Sequence, residues 1–287
     1  MKIAFSTVAC PEWTLERVAS SAREAGYLGV ELRGFGDASR AFASDPFLID
    51  AAKVRRVLDQ VGVRVASLAT GVRYDAPINP PMVGHFLFDQ EASVHAAKRA
   101  VDVAAAIEAP FVRVFGFEVQ GADRPANALE RIQNRLYLTC DHARTTGVQV
   151  VLENGGSFVR AADQAAMLDR VKHTLMRAAY SIQIGALAGD DPAEAVAMLG
   201  ERLTIVKVRP YVNGVPAAVD ANDPLIARTF ARLREIGYTG WVVYELDRAW
   251  GRGQGPADVG ATLKASAQAL YTLATGPTSS RRPVVMS

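Results

Sequence analysis

The run "NDPLIARTFARLREIGYTGWVVYEL", Asn222 to Leu246, decides the fold. Asp223 before Pro224 is a helix start, because proline is tolerated in the first turn where its missing N–H is not needed. Leu225, Ile226, Phe230 and Leu233 then recur at helical spacing. Gly237 marks the stop, and "WVVYEL" follows as a short apolar run of strand type. One helix and one strand make a unit, and the unit recurs along the chain.

Seven further strand candidates stand outward from it: "KIAFS" from Lys2, "LGVELR" from Leu28, "VRVASL" from Val63, "FVRVFG" from Phe111, "VQVVLEN" from Val148, "AAYSIQI" from Ala178 and "LTIVKVR" from Leu203. Amphipathic segments such as "TLERVASSAREAG" and "EASVHAAKRAVDVAAAIEA" lie between them, and Gly26, Gly62 and Gly147 stand at helix ends. Strict alternation calls for a parallel sheet, and eight units predict an α/β protein built as a single (β/α)8 TIM barrel over residues 1–275. The alternative, a doubly wound open sheet, wants a glycine-rich phosphate turn after the first strand. "GRGQG", residues 251–255, follows the last strand instead and reads as a flexible loop. The segment "GPTSSRRPVVMS", residues 276–287, loses periodicity and is expected to be a flexible C-terminal tail.

With 287 residues, 49% of them hydrophobic, the chain has ample material for a core. A formal net charge of +2 gives no polyanion-binding surface, so nucleic acid is not an expected partner. No run is apolar enough for a membrane span or a secretion signal, and Cys10 and Cys140 make neither a disulfide scaffold nor a metal knuckle. A cytoplasmic location is the expectation.

A barrel of this type carries its function at the C-terminal ends of its strands. Long loops after strands two, three and eight provide a cover. Side chains alternate along a strand, so Glu31 shares a face with Arg33, Arg113 with Phe115, and Lys207 with Arg209. Glu153 and Glu245 each end an apolar strand, where an unpartnered carboxylate is costly. The bland reading of Arg33 and Arg113 is a solvated strand end. His95 and His142 fall in helical runs, His173 in a connection and His85 in a loop, so no histidine stands at a strand end.

These markers, with "GVELR", "PFVRVFG", "VVLENGG", "LAGDDPAEAVAMLGERL" and "LREIGYTGWVVYE", resemble the xylose isomerase-like TIM-barrel superfamily of sugar isomerases, epimerases and dehydratases. The resemblance implies a small polar substrate and a homo-oligomer. It also implies a divalent metal (Mn, Mg or Zn) held by Glu, Asp, His and Glu on strands five to eight. Here the first and last ligands fall on Glu153 and Glu245, but the Asp position falls on Ser181 (Gln183 if the alignment shifts) and the His position on Lys207. A dication about 4 Å from a fixed ammonium costs roughly 8 kcal/mol at an effective dielectric near 20. Lys207 and Arg209 would balance the two glutamates without any ion, so no bound metal is expected; the alternative keeps one at Glu153 and Glu245.

The chemistry this leaves is proton abstraction next to the carbonyl of a keto-sugar or polyol, giving isomerisation, epimerisation or β-elimination. Glu153 or Glu245 would be the base, and Lys207 would stabilise the enolate oxygen. Glu31, Arg33, Arg113, Asn154 and Arg209 would hold the substrate. Lys207→Met is expected to abolish turnover with the fold intact. The alternative is a catalytically inactive member that binds a small polar ligand. A repair endonuclease would need a histidine-rich zinc cluster that the sequence lacks.

Overall fold

The computed structural model describes residues 1–36, 41–76, 92–116, 118–119, 124–249 and 255–276. Its parallel strands are β1 (Lys2–Ser6), β2 (Gly29–Arg33), β3 (Arg64–Arg73), β4 (Phe111–Phe115), β5 (Gln149–Glu153), β6 (Met176–Ser181), β7 (Leu203–Val208) and β10 (Trp241–Tyr244). They close in the order β1-β10-β7-β6-β5-β4-β3-β2, which is a (β/α)8 barrel and excludes the open sheet. Helices α1 (Leu15–Ala25), α2 (Ala51–Asp59), α3 (Ala92–Ala106), α4 (Pro125–His142), α5 (Ala161–Val171), α6 (Ile182–Leu187), α7 (Pro192–Leu199), α8 (Pro224–Glu235) and α9 (Val259–Thr275) connect the strands. A small hairpin, β8 (Tyr211–Val212) with β9 (Val215–Pro216), rises from the end of β7.

Local chemistry sets the element ends. The Asp223 carboxylate accepts from the Leu225 and Ile226 amides and Pro224 opens α8, as the sequence predicts; Asp191 and Asp258 cap α7 and α9 in the same way. Gly237 adopts φ +67°, a left-handed conformation that favours glycine, and Gly26 does the same at +85° after α1.

Two strand ends differ from the sequence reading. The β-branched run "SIQI" looks extended, yet β6 stops at Ser181 and Ile182 begins α6, because the chain turns into a helix where the barrel ends. β3 runs on to Arg73, well past Leu68. Of the expected tail, residues 276–287, only Gly276, which follows α9, is described; 277–287 lie outside the described residues. So do 251–254 of the "GRGQG" loop, 37–40 and 77–91 of the other two long loops, and His85.

The lower interior of the barrel is a separate apolar cluster of Ala4, Ala66, Val151, Ala179, Ile205, Trp241 and Val243. Gly29 belongs to its shape: a Cβ there would meet the Trp241 ring at 2.7 Å, so the indole occupies the space a side chain would need. Around the barrel a larger core joins strands to helices. Cys10 and Cys140 are both free and buried, and among the described residues no helix is long and apolar enough to cross a membrane.

Candidate active site

Above the apolar cluster, at the C-terminal ends of the strands, the interior turns polar. Lys207 on β7 is wholly buried there. Its Nζ donates to Glu31 Oε1 on β2 at 2.9 Å and to Glu245 Oε2, just past β10, at 2.8 Å. Glu153 Oε2 on β5 lies 3.1 Å away as an ion-pair contact. Three strands thus bring a carboxylate to one ammonium, and only a closed barrel places β2 within reach of β7.

Further side chains hold the carboxylates in place. The Ser67 hydroxyl donates to Glu31 Oε2 at 2.9 Å. Arg113 Nε stands 3.0 Å from Glu153 Oε2, while its Nη1 donates to the Thr70 carbonyl. Arg209 Nε lies 3.4 Å from Glu245 Oε1, and its Nη2 donates to Asp247 Oδ2 at 2.7 Å, an oxygen that also accepts from the Tyr211 hydroxyl. With Arg33, buried near the end of β2, these described residues amount to four cations and four carboxylates.

Electrostatics keeps this arrangement charged. Burial works against a charged Lys207, but Glu153, Glu245 and Glu31 together raise its pKa above the ordinary value, so it remains an ammonium. Burial likewise opposes ionisation of Glu245, yet Arg209, Lys207 and Arg113 hold its pKa well below the usual carboxylate range. Arg209 is pushed up, chiefly by Glu245 and against the effect of burial. Glu245 is a weak proton acceptor with a cation against each oxygen.

Glu153 is placed differently. Its Oε2 touches two cations, but the angles are too bent for hydrogen bonds, and among the described residues this oxygen accepts none. Other buried polar atoms of the mouth share the condition: the hydroxyls of Ser6 and Ser181, Arg113 Nε, Arg209 Nε and Asp247 Oδ1. Buried polar groups are ordinarily paired, so such a concentration marks a place that a polar ligand or ordered water completes.

Glu31, Glu153, Lys207 and Glu245 of the sequence-predicted set meet directly, with Arg113 and Arg209 against them. Arg33 lies against the Phe35 ring, 4.7 Å from its centroid. Asn154 requires a correction. It is fully buried, its amide nitrogen donates to the Val159 and Ser181 carbonyls, and its oxygen accepts from the Ser181 amide. It ties β5 to the end of β6, and both of its amide hydrogens are committed to backbone carbonyls. Gln183, the shifted candidate for the strand-six ligand, accepts from the Arg209 amide at 2.7 Å and so anchors the turn after β7. Sequence reading missed Asp247, although its position two residues after Glu245 carried the signal, and it missed Ser67, which carried none.

The donor set does not fit the divalent ion that the resemblance implies. The ammonium of Lys207 sits between the oxygens that would bind it, and Ser181 offers a hydroxyl where a carboxylate would be needed. Among the described residues, no group of three or more His, Cys, Asp or Glu side chains is arranged to hold a metal.

A sequence profile described as xylose isomerase-like TIM barrel matches residues 19–271. No curated protein sequence matches the chain. Solved structures share the fold: an L-ribulose 3-epimerase at TM-score 0.76 and 16% identity, with 96% of this chain and 95% of that one covered. A D-allulose 3-epimerase from Methylomonas sp. gives 0.73 and 17%, covering 95% and 98%. A probable 3-DHS dehydratase from Bacillus anthracis gives 0.71 and 14%, covering 94% and 99%.

Proposed function

The chain belongs to the xylose isomerase-like TIM-barrel family, and within it we propose a sugar isomerase or epimerase-like enzyme that abstracts a proton next to the carbonyl of a small keto-sugar or oxidised polyol without a divalent metal. Glu153 is the base, and the Lys207 ammonium takes the part of the cation. The observation that carries this reading is the loose third contact of Lys207. Two of its N–H groups are committed to Glu31 and Glu245, and the third points poorly at a Glu153 oxygen that accepts no hydrogen bond.

A carbonyl oxygen that takes over this third N–H releases Glu153 in the same step. The freed carboxylate then removes the α-proton, and the negative charge arriving on oxygen meets a cation already in place. Returning the proton to the neighbouring carbon, with the hydroxyl proton passing to the former carbonyl oxygen, gives an isomer, and protonation of the opposite face by water gives an epimer. Loss of a β-hydroxyl gives elimination. The solved relatives of the same fold, two epimerases and a probable dehydratase by their descriptions, agree with this range of outcomes.

A second reading, a polar-ligand binder without turnover, is favoured by the complete burial of Lys207 and by the cations held against both Glu245 oxygens. One experiment separates the two. The protein, dialysed against EDTA and free of transition metal by elemental analysis, is incubated with ketoses and keto-inositols in D2O. Exchange of carbon-bound hydrogen, with a loss of about 10²-fold or more in Glu153→Gln, supports the enzyme. Ligand binding without exchange supports the binder, and exchange that returns only with added Mn, Mg or Zn refutes the metal-free reading.

A further inference from the structure

Three consecutive strands bring three unsatisfied groups to one place. Glu153 ends β5, Ser181 ends β6 and Lys207 lies near the end of β7. Ala179 belongs to the apolar interior cluster and pairs with Glu153, so alternation aims Ser181, two residues further on, into the mouth, in register with Lys207. The Glu153 oxygen that accepts no hydrogen bond and the loosely held third N–H of Lys207 thus meet across the strand that carries this serine.

The Ser181 hydroxyl is fully buried and, among the described residues, has no hydrogen-bond partner. Its position offers it one. It directly precedes α6, where a serine side chain ordinarily accepts from a backbone amide of the first turn, as the Asp191 carboxylate does before α7. Ser181 makes no such bond. Asn154 meanwhile grips its backbone, accepting from its amide and donating to its carbonyl, so the residue is fixed while the hydroxyl is left bare. A buried hydroxyl without a partner is costly, and a ligand that bonds to it removes the cost.

We infer that Ser181 selects an α-hydroxyketone: its hydroxyl binds the hydroxyl next to the reacting carbonyl and relays a proton between the two oxygens. This rests on the proposed function for the carbonyl held at Lys207. Turning a ketose into an aldose moves one proton from carbon to carbon and a second from oxygen to oxygen. Glu153 serves the first. Lys207 remains an ammonium and only donates, whereas a hydroxyl both donates and accepts. In the enediolate, the Ser181 proton passes to the former carbonyl oxygen as the substrate O–H breaks and restores the serine. The negative charge moves to the second oxygen, and the aldehyde forms there when Glu153 returns its proton to the neighbouring carbon.

Calorimetric titration of the full chain with D-fructose and with 1-deoxy-D-fructose, which lacks the hydroxyl on carbon 1, tests the recognition; deuterium exchange and aldose formation in D2O test the relay. The parent is expected to bind fructose about tenfold tighter than the deoxy sugar. Ser181→Ala should bring that ratio toward one and lower the aldose formed per exchanged hydrogen by about 10²-fold, while Ser181→Thr retains both. Because Ser181→Ala removes an unpartnered group, its denaturation midpoint should equal or exceed that of the parent, and a fall would make the serine structural and overturn the inference. So would an unchanged affinity ratio in Ser181→Ala, or no binding of either sugar. Preference for fructose without exchange keeps the recognition and removes the proton chemistry of the proposed function. Exchange with no aldose in the parent, or with the same aldose yield in Ser181→Ala, keeps that chemistry and removes the relay.

Discussion

The lower interior of the barrel and its mouth are built from the same eight strands, often from residues two apart, yet they follow opposite rules. Val151 and Glu153 are neighbours on one face of β5, as are Ile205 and Lys207 on β7. The lower set packs alanine, valine, isoleucine and one tryptophan into a dry cluster, where each buried side chain stabilises by removal from water. The upper set consists of charges whose mutual attraction offsets the cost of desolvating them. The lower region supplies stability that survives one imperfect contact, whereas the mouth is an all-charged assembly in which every member depends on the others.

The strongest way to break this contrast is Lys207→Met. Removing the ammonium strips Glu31 of its ion-pair partner and leaves Glu153 and Glu245 with one cation each, so a loss of about 3–5 kcal/mol is expected along with the loss of exchange. The sequence alone predicts an intact fold for this variant; three carboxylates around one ammonium predict a destabilised one. Chemical denaturation at pH 7 and again near pH 4 provides a signature, because the variant recovers stability as its stranded carboxylates take up protons. Equal stability of variant and parent at pH 7 would show that the mouth is not the interdependent assembly described here.

Acidification of the unaltered protein has the opposite sign and a smaller effect. Glu245 has a folded pKa below its ordinary 4.5, so its contribution is complete above that pH and is lost as the pH falls below it. Lys207 has a folded pKa above its ordinary 10.5, so its contribution is complete below that pH and fades as the pH rises beyond it. Stability should therefore be flat between these limits, apart from other groups, and a denaturation midpoint unchanged from pH 6 to pH 3 would contradict the Glu245 assignment. The least disturbing change belongs to the lower cluster. Gly29→Ala forces a methyl against Trp241 and should cost about 1–3 kcal/mol, while exchange per folded molecule stays as in the parent. A fall in exchange without a fall in stability would mean that the two regions are not separate.

Much of the barrel could be read in advance, because helix caps, glycine stops and apolar runs are local signals. Asp223, Pro224 and Gly237 state their roles within a few residues. Glu153, Lys207 and Glu245 were legible as well, since a charge at the end of an apolar strand violates the local pattern. What could not be read was which charges meet. Alternation places Glu31 on one face with Arg33, but its hydrogen bond goes to Lys207 across the barrel, a contact set by closure rather than by spacing. Asn154 carried a polar signal for the opposite reason, as its amide serves the backbone of a neighbouring strand.

The bond between Glu31 and Lys207 joins positions 176 residues apart. During synthesis the first carboxylate emerges long before its ammonium exists, and it must stay hydrated until β7 arrives. Ring closure and neutralisation of Glu31 are thus one event, and a fragment ending before β7 lacks the ammonium that binds this carboxylate. The molecule is expected to assemble late and in a single cooperative step, with the salt link acting as the latch that commits the nascent chain.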